Sequence, residues 1–322
     1  MNPRISIFIL SMILTLSILP TSEAHILIVA NGDNTTPDSY EVVKNTADIL
    51  KSQGYNVLEL YGENATTKNI IKGMYNADAM IYAGHGVFLM GNYDEHGGIA
   101  NPPFGMVGSD GIIWGYGDKM REGNLGKSFI APFKKNIPVI LFGACFSSGW
   151  VETTEVANPI ETTYSFSRMF TGAGANYYAT AYIRKYKGKE VVDLVALFLN
   201  GANSLGDANE KNYRYTISQE TIYKNQSIWR NNNGYNAFSG NWNGTFPKPN
   251  QTTPYNDTAA EKWYDGSLPN PSAELANSEA DPKGQYLDGL IDSVISWLDF
   301  LWNSLLNSDI PEINISFGSG LN

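Results

Sequence analysis

The chain has 322 residues, and 32 acidic against 22 basic side chains leave a net charge of −10 at neutral pH. Because it contains one cysteine, Cys145, an internal disulfide framework is excluded. The basic residues form no stripe along the sequence, which disfavours binding to nucleic acids.

Residues 1–24 have the pattern of a secretory signal peptide. Residues 5–19 form an apolar core of 15 residues after an arginine, and Ser22 and Ala24 are small residues where a signal peptidase reads the chain. The core is short for a membrane span of about 20 residues. We therefore predict cleavage before His25, no membrane span afterwards, and a protein that is secreted or held at the cell surface.

Seven Asn-x-Ser/Thr triplets, the acceptor sequence for N-glycosylation, fit with export. Each triplet alone is weak evidence, because such triplets arise by chance in an Asn-rich chain. After a signal peptide, their number indicates a glycosylated surface protein. The candidate acceptors are Asn34, Asn64, Asn225, Asn243, Asn250, Asn256 and Asn314.

Strand and helix patterns alternate between residues 25 and 201, within a predicted domain of residues 25–215. Short apolar runs predict strands, and apolar residues at helical spacing predict the helices between them. The alternation implies parallel crossovers with helices on both faces, which defines a doubly wound, mostly parallel α/β domain in three layers. The predicted strands are 25–30, 56–61, 79–86, 137–145 and 176–183, and the predicted helices are 37–52, 67–74, 164–170 and 190–199.

The stretch 87–135 is too long for a plain connection, and such loops carry function or small elements of their own. Within it, Ser109-Asp110-Gly111 separates two apolar runs, at 104–107 and 112–114, which predicts a hairpin. The same stretch holds His96, which has no neighbours at a metal-binding spacing. We interpret it as a solvated loop residue and predict no metal site.

The composition changes beyond residue 215. Residues 216–283 are rich in Asn, Gly and Pro and lack periodicity, so a loop or linker is predicted. Residues 284–307 have apolar side chains three and four positions apart, which predicts an amphipathic helix before a tail at 308–322. This helix has three aspartates and no basic residue, so we expect it to dock on the protein or on a second copy rather than on a membrane.

The apolar runs that begin at residues 79 and 137 each end in a reactive pair. His85-Gly86 follows the first run, and Ala144-Cys145 follows the second, with the thiol 60 residues after the imidazole. Because the carboxyl ends of parallel strands open onto one crevice, the two side chains are expected to face each other. The alternative, that Cys145 is a small buried core residue, is disfavoured by its place directly after a strand.

An imidazole beside a thiol supplies the chemistry of acyl transfer. An imidazolium lowers the pKa of the thiol and can protonate an amine leaving group. Glycine lets the backbone approach a substrate, so the N–H groups of Gly86 and Cys145 could stabilise a carbonyl oxygen that becomes negative. The residues therefore predict a cysteine peptidase site.

This layout resembles the caspase–haemoglobinase superfamily of cysteine peptidases (clan CD), which includes caspases, legumains and gingipains. In that superfamily one apolar strand ends in His-Gly and a later one in Ala-Cys or a near variant. Further segments, at 108–112, 170–180 and 200–208, are similar to gingipain-like members. The resemblance covers roughly residues 25–215.

The resemblance implies a caspase-like domain in which His85 is the general acid/base, Cys145 the nucleophile and Gly86 an oxyanion-hole residue. It implies no cofactor, and the expected partner is a peptide or protein substrate. The predicted function is an exported cysteine endopeptidase. Two alternatives stay open: a non-catalytic surface-binding or cell-envelope module on the same fold, and an isopeptidase or amidase acting on wall peptides.

The residue preference of such an enzyme is open at this point. Three carboxylates, Glu152, Glu155 and Glu161, follow the Cys145 strand, and any of them could favour a basic side chain. Ordinary surface carboxylates are the default interpretation.

Overall fold

The structure is a computed structural model that describes residues 25–30, 37–88, 104–123, 126–151, 154–155, 158–180, 202, 204, 206–207, 217–231 and 236–271. Several sequence predictions fall outside these residues: the signal peptide, His96, the helix at 190–199 and the amphipathic helix at 284–307 with its tail. In the described part of the chain, no helix combines the length and apolar character needed to cross a bilayer.

The described strands, in chain order, are β1 (Ile26–Ala30), β2 (Val57–Tyr61), β3 (Ala79–Ala83), β4 (Gly86–Phe88), β5 (Phe104–Val107), β6 (Ile112–Tyr116), β7 (Lys119–Glu122), β8 (Ser128–Phe129), β9 (Pro138–Phe142), β10 (Trp150–Val151), β11 (Thr154–Glu155), β12 (Asn176–Thr180), β13 (Ile217–Tyr223), β14 (Gln226–Asn231) and β15 (Asn236–Ser239). The helices are α1 (Pro37–Ser52), α2 (Thr67–Gly73), α3 (Pro159–Thr171) and α4 (Asp257–Tyr264). Helix α3 begins earlier than predicted because Pro159 suits the first turn of a helix.

The main sheet has eight strands in the order β13-β14-β15-β12-β9-β3-β1-β2. The five strands from β12 to β2 are parallel to one another, and β15, β14 and β13 continue the sheet antiparallel. The prediction of a mostly parallel α/β sheet is confirmed. The carboxyl ends of the five parallel strands all lie along one edge, called the carboxyl edge below, and the opposite edge is the amino edge.

Helices pack on both faces of this sheet. On one face, Val43, Ala47 and Leu50 of α1 pack with alternate strand residues such as Ile28 and Ile81. The other face packs against α2 and α3, whose contributions to the core include Ile70, Ile71, Phe166 and Phe170. Each large apolar side chain buried in this way stabilises the fold by about 1.5–3 kcal/mol, so burial on two faces fixes the register of the strands.

A second sheet is built from the long stretch after β3. Strands β4 to β8 form a five-stranded antiparallel sheet, and the predicted hairpin is present as β5 and β6. The small sheet packs on α3, where the rings of Phe104 and Phe166 are 5.0 Å apart. Its hairpin tip reaches α2, where the Asp110 carboxylate accepts a 2.7 Å hydrogen bond from the N–H of Thr67. Residues 104–123 and 126–129 therefore form a structured layer rather than a loose loop.

The prediction of a loop or linker at 216–283 is wrong for residues 217–231 and 236–239. These residues form β13, β14 and β15 of the main sheet. Their buried side chains include Ile228 and Phe238, while the Asn and Gly residues that dominate the composition lie mostly between the strands. Composition averaged over the whole stretch hides the strands because polar residues fill the turns and the exposed face of an antiparallel sheet.

The polypeptide after β15 returns to the domain and packs on it. Trp263 of α4 is 8% exposed, stacks on Tyr75 with ring centroids 6.0 Å apart, and belongs to the same core as α2 and α3. Lys72 of α2 pairs with Asp257 and Glu261 of α4 at 2.7 and 2.6 Å. Residues up to 271 therefore do not act as the predicted linker.

Candidate active site

The two predicted reactive pairs lie together at the carboxyl edge of the main sheet. Strands β3 and β9 are parallel neighbours, with Ala83 in register with Phe142. A Cβ atom added to Gly86 would overlap the carbonyl oxygen of Cys145 and lie 3.1 Å from its amide nitrogen. Only glycine allows this approach, so the backbone after His85 rests directly on the backbone of Cys145.

The backbone of His85 is fixed where the chain passes from the main sheet to the small one. The Val107 N–H donates to the His85 carbonyl oxygen at 3.2 Å. The Tyr82 hydroxyl is 2.8 Å from the same oxygen and 2.9 Å from the Val107 carbonyl, and it accepts a 3.1 Å bond from the Val107 N–H. His85 itself is half-buried.

The ladder between β4 and β5 decides where the Gly86 N–H points. In an antiparallel pair, hydrogen-bonded residue pairs alternate with pairs whose N–H and C=O groups point outward. The bond from Val107 to His85 makes that pair hydrogen-bonded, so the next pair, Gly86 and Met106, is not. The Gly86 N–H is thus directed away from β5 and is not used by the small sheet.

Cys145 opens a tight turn, and its thiol forms no disulfide and is half-buried. Phe146 has φ +67°, in the left-handed region that a bulky residue rarely adopts. The Ser147 hydroxyl closes the turn by donating to the Ala144 carbonyl oxygen at 2.7 Å. Strained backbone of this kind costs about 1–2 kcal/mol and persists where the surroundings over-determine it, often at functional sites.

The neighbouring strand β12 holds the same turn from the other side. The buried Tyr177 hydroxyl donates to the Ser147 carbonyl oxygen at 2.8 Å. The Gly143 N–H donates to the Thr180 hydroxyl at 3.2 Å. Burial raises the pKa of Tyr177 well above its ordinary value, so its hydroxyl stays a donor.

The other described histidine lies far from this site along the strands. His25 precedes β1 at the amino edge, is 1% exposed, and has Nε2 2.7 Å from the Gly73 carbonyl oxygen. Burial lowers the pKa of His25 to about 4, so the ring is neutral at physiological pH. Among the described residues, no group of three or more His, Cys, Asp or Glu side chains could hold a metal ion.

Two of the three carboxylates considered for a basic-residue pocket are in the described structure. Glu161 lies in the first turn of α3, where its side chain bonds the Tyr223 hydroxyl. Glu155 lies in the short strand β11, and Glu152 is outside the described residues. The contact with Tyr223 gives Glu161 a structural partner in β13.

The candidate glycosylation acceptors differ in exposure. Exposed side chains are present at Asn64, Asn225, Asn243 and Asn250. Asn256 is half-buried and caps α4, with its side-chain oxygen accepting a 3.0 Å bond from the Ala259 N–H. Asn34 and Asn314 lie outside the described residues.

The sequence analysis missed four residues that shape the site: Tyr82, Phe146, Tyr177 and Thr180. A signal for the two tyrosines was present, because a tyrosine within an apolar strand must place its hydroxyl on a partner when it is buried. The left-handed conformation of Phe146 has no such signal, since its residue type argues against it.

Comparison of the chain with protein-family models, with curated proteins and with solved structures finds no match. The chemistry of the carboxyl-edge residues is therefore the basis for inferring a function.

Proposed function

We propose that this chain is an exported cysteine endopeptidase of the caspase–haemoglobinase type, acting through Cys145 and His85. The observation that carries the proposal is the close packing of Gly86 on the backbone of Cys145, which joins the two strand ends that bear the thiol and the imidazole. The order of His-Gly and Ala-Cys along the chain and the mostly parallel sheet support the resemblance to clan CD.

The proposed reaction begins with transfer of the thiol proton of Cys145 to His85. The thiolate attacks the carbonyl carbon of the scissile peptide bond, and the carbonyl electron pair moves onto oxygen. The N–H of Gly86, directed away from the small sheet, and the N–H of Cys145 stabilise that oxyanion. When the C–N bond breaks, the imidazolium gives its proton to the leaving amine and a thioester remains on Cys145.

Hydrolysis completes the cycle. His85 removes a proton from a water molecule as the water oxygen attacks the thioester carbonyl. The C–S bond then breaks, which releases the new carboxyl product and restores the thiolate beside the imidazolium. The half-exposed position of Cys145 supports access of both a peptide and water to the sulfur.

Export to the cell exterior or surface is the second part of the proposal. It is supported by the signal-peptide pattern of residues 1–24 and by the exposed side chains of the acceptor triplets at Asn64, Asn225, Asn243 and Asn250. A thiol in an oxidising compartment is retained when it has chemistry to perform.

The test compares the mature protein with Cys145→Ala and His85→Ala on a peptide library. Both variants should fold with the wild-type circular dichroism spectrum and lose hydrolysis by about a thousandfold or more. Cys145→Ala should also lose labelling by iodoacetamide. Unchanged hydrolysis in Cys145→Ala would exclude the proposal. An inactive wild-type protein that binds cell-envelope material would favour the non-catalytic module, and release of cross-linked wall peptides alone would favour the isopeptidase.

A further inference from the structure

We propose that two buried tyrosines, Tyr82 and Tyr177, are positioning residues that hold the two halves of the catalytic dyad from inside the core. The inference rests on the proposed function. Tyr82 anchors the backbone of His85, and Tyr177 anchors the turn that carries Cys145. Both side chains are fully buried and belong to the same core cluster.

The first anchor acts on the imidazole. Tyr82 lies on β3, three residues before His85, and its hydroxyl approaches the His85 carbonyl oxygen at 2.8 Å and the Val107 N–H at 3.1 Å. It therefore ties together the end of a main-sheet strand and the first rungs of the small sheet. Removing the hydroxyl would free the peptide after His85 to tilt.

The second anchor acts on the thiol. Tyr177 lies on β12, on the far side of β9 from β3, and its hydroxyl donates to the Ser147 carbonyl oxygen at 2.8 Å. Its ring stacks on Phe170 with centroids 5.7 Å apart, so the hydroxyl cannot swing away. The turn it holds includes the strained Phe146, which would relax if the anchor were lost.

Phenylalanine would fill either place in the core without burying a polar group. Burying a hydroxyl is unfavourable unless it is hydrogen-bonded, and at both positions the partner is a backbone oxygen at the active site. The hydroxyls therefore add positional accuracy to His85 and Cys145 beyond the packing that the rings provide. A displacement of about 1 Å between reacting groups can lower a rate by about a hundredfold.

The experiment uses Tyr82→Phe and Tyr177→Phe in the full mature chain. The matched control is Tyr55→Phe, because Tyr55 is also buried and donates to a backbone carbonyl, that of Pro247, at 2.9 Å but at the amino edge. Thermal unfolding, kcat and KM on a cleaved peptide, and the pH dependence of Cys145 alkylation by iodoacetamide are measured for all three variants.

Small losses of thermal stability are expected in the three variants. Tyr177→Phe and Tyr55→Phe each lose one hydrogen bond, and Tyr82→Phe loses somewhat more stability because its hydroxyl both donates a bond and accepts one from the Val107 N–H. Only the two site variants should lose kcat, by about tenfold with little change in KM. Tyr82→Phe should also move the alkylation midpoint to higher pH, toward that of His85→Ala, because a displaced imidazolium stabilises the thiolate less. Site variants that match Tyr55→Phe in kcat and alkylation would overturn the inference.

The pH dependence of Cys145 alkylation separates this inference from the proposed function. If wild-type protein cleaves no peptide, a shift of the alkylation midpoint in both His85→Ala and Tyr82→Phe still supports the positioning role. A shift in His85→Ala without one in Tyr82→Phe overturns that role while leaving the dyad intact. If the alkylation midpoint does not shift in His85→Ala, both the dyad and the positioning role are overturned. Each tyrosine is tested separately, so if one of the two variants fails to fold, the other variant still tests the inference.

Discussion

His85 lies at the carboxyl edge of the main sheet and is half-buried, and the next residue, Gly86, packs on the backbone of Cys145. His25 lies at the amino edge and is only 1% exposed. His25 has its Nε2 on the Gly73 carbonyl oxygen, and burial lowers its pKa to about 4. The backbone carbonyl of His85 is hydrogen-bonded by Tyr82, and the residue as a whole is half-buried. The two edges thus contain the same residue type, packed as core on one side and half-buried on the other.

The comparison of the two edges indicates which end of the parallel strands carries the candidate active site. Around Cys145 the backbone is strained and is held by the hydroxyl of Ser147 in the turn itself and by that of Tyr177 in the neighbouring strand β12. The amino edge is held by core packing, by the hydrogen bond from the Tyr55 hydroxyl to Pro247 and by ion pairs such as that of Lys134 with Asp78 at 3.0 Å, and it carries neither reactive pair. Changes at the carboxyl edge should therefore lower activity more than stability, and changes at the amino edge should do the reverse.

The largest effect is expected from Gly86→Ala at the carboxyl edge. The new Cβ overlaps the carbonyl oxygen of Cys145, so the backbone of one pair must move away from the other. Hydrolysis of a peptide substrate should fall by about a hundredfold or more. The control is Gly73→Ala at the amino edge, where the Cβ meets the flexible end of Leu27 at 2.8 Å. It should lower stability without lowering kcat, and equal activity losses in the two variants would break the comparison.

The next effect is a loss of stability at the amino edge. Trp263→Ala removes a buried ring that contacts Tyr75 and Phe129, at centroid distances of 6.0 and 5.8 Å. We expect the free energy of unfolding to fall by about 3–5 kcal/mol in urea titrations, because a large buried side chain leaves a cavity. If residues 257–264 were part of a linker, the substitution would leave the unfolding midpoint unchanged.

The sequence predicted the parallel part of the sheet well because its strands are buried on both faces and are continuous in apolar residues. It also predicted that the two reactive pairs lie at one edge of the sheet, because strand direction alone places both there. It missed β13 to β15 because alternating polar residues in an antiparallel extension give a weak signal. It missed Tyr82 and Tyr177 because a tyrosine within an apolar strand indicates a buried, hydrogen-bonded hydroxyl but does not indicate which backbone oxygen is the partner.

The pH dependence of stability sharpens the comparison of the two histidines. The pKa of His25 is about 4 in the folded protein, below its ordinary value of 6.5, so the unfolded chain binds more protons between these values. Stability contributed by the neutral ring is complete above pH 6.5 and is lost as pH falls toward 4, by up to about 3 kcal/mol. Urea unfolding at pH 7 and pH 4.5 should show a smaller difference in His25→Gln than in wild type. If the unfolding free energy changes equally between pH 7 and pH 4.5 in both proteins, His25 is not the group responsible for the loss of stability.

The smallest effect is expected at the turn between β13 and β14, which also lies at the amino edge. Lys224 and Asn225 have φ angles of +47° and +65°, the signature of a two-residue hairpin turn of type I′. Asparagine tolerates this conformation better than residues with a plain Cβ, so Asn225→Ala should lower the free energy of unfolding by about 1 kcal/mol. Asn225→Gly should raise it slightly, and neither variant should change kcat.

Because both changes also remove the Asn-x-Ser triplet, unglycosylated protein is compared throughout, with Ser227→Ala as the control that removes the triplet and keeps the turn residue. A loss of kcat in Asn225→Ala alone would show that the amino edge contributes to the reaction after all.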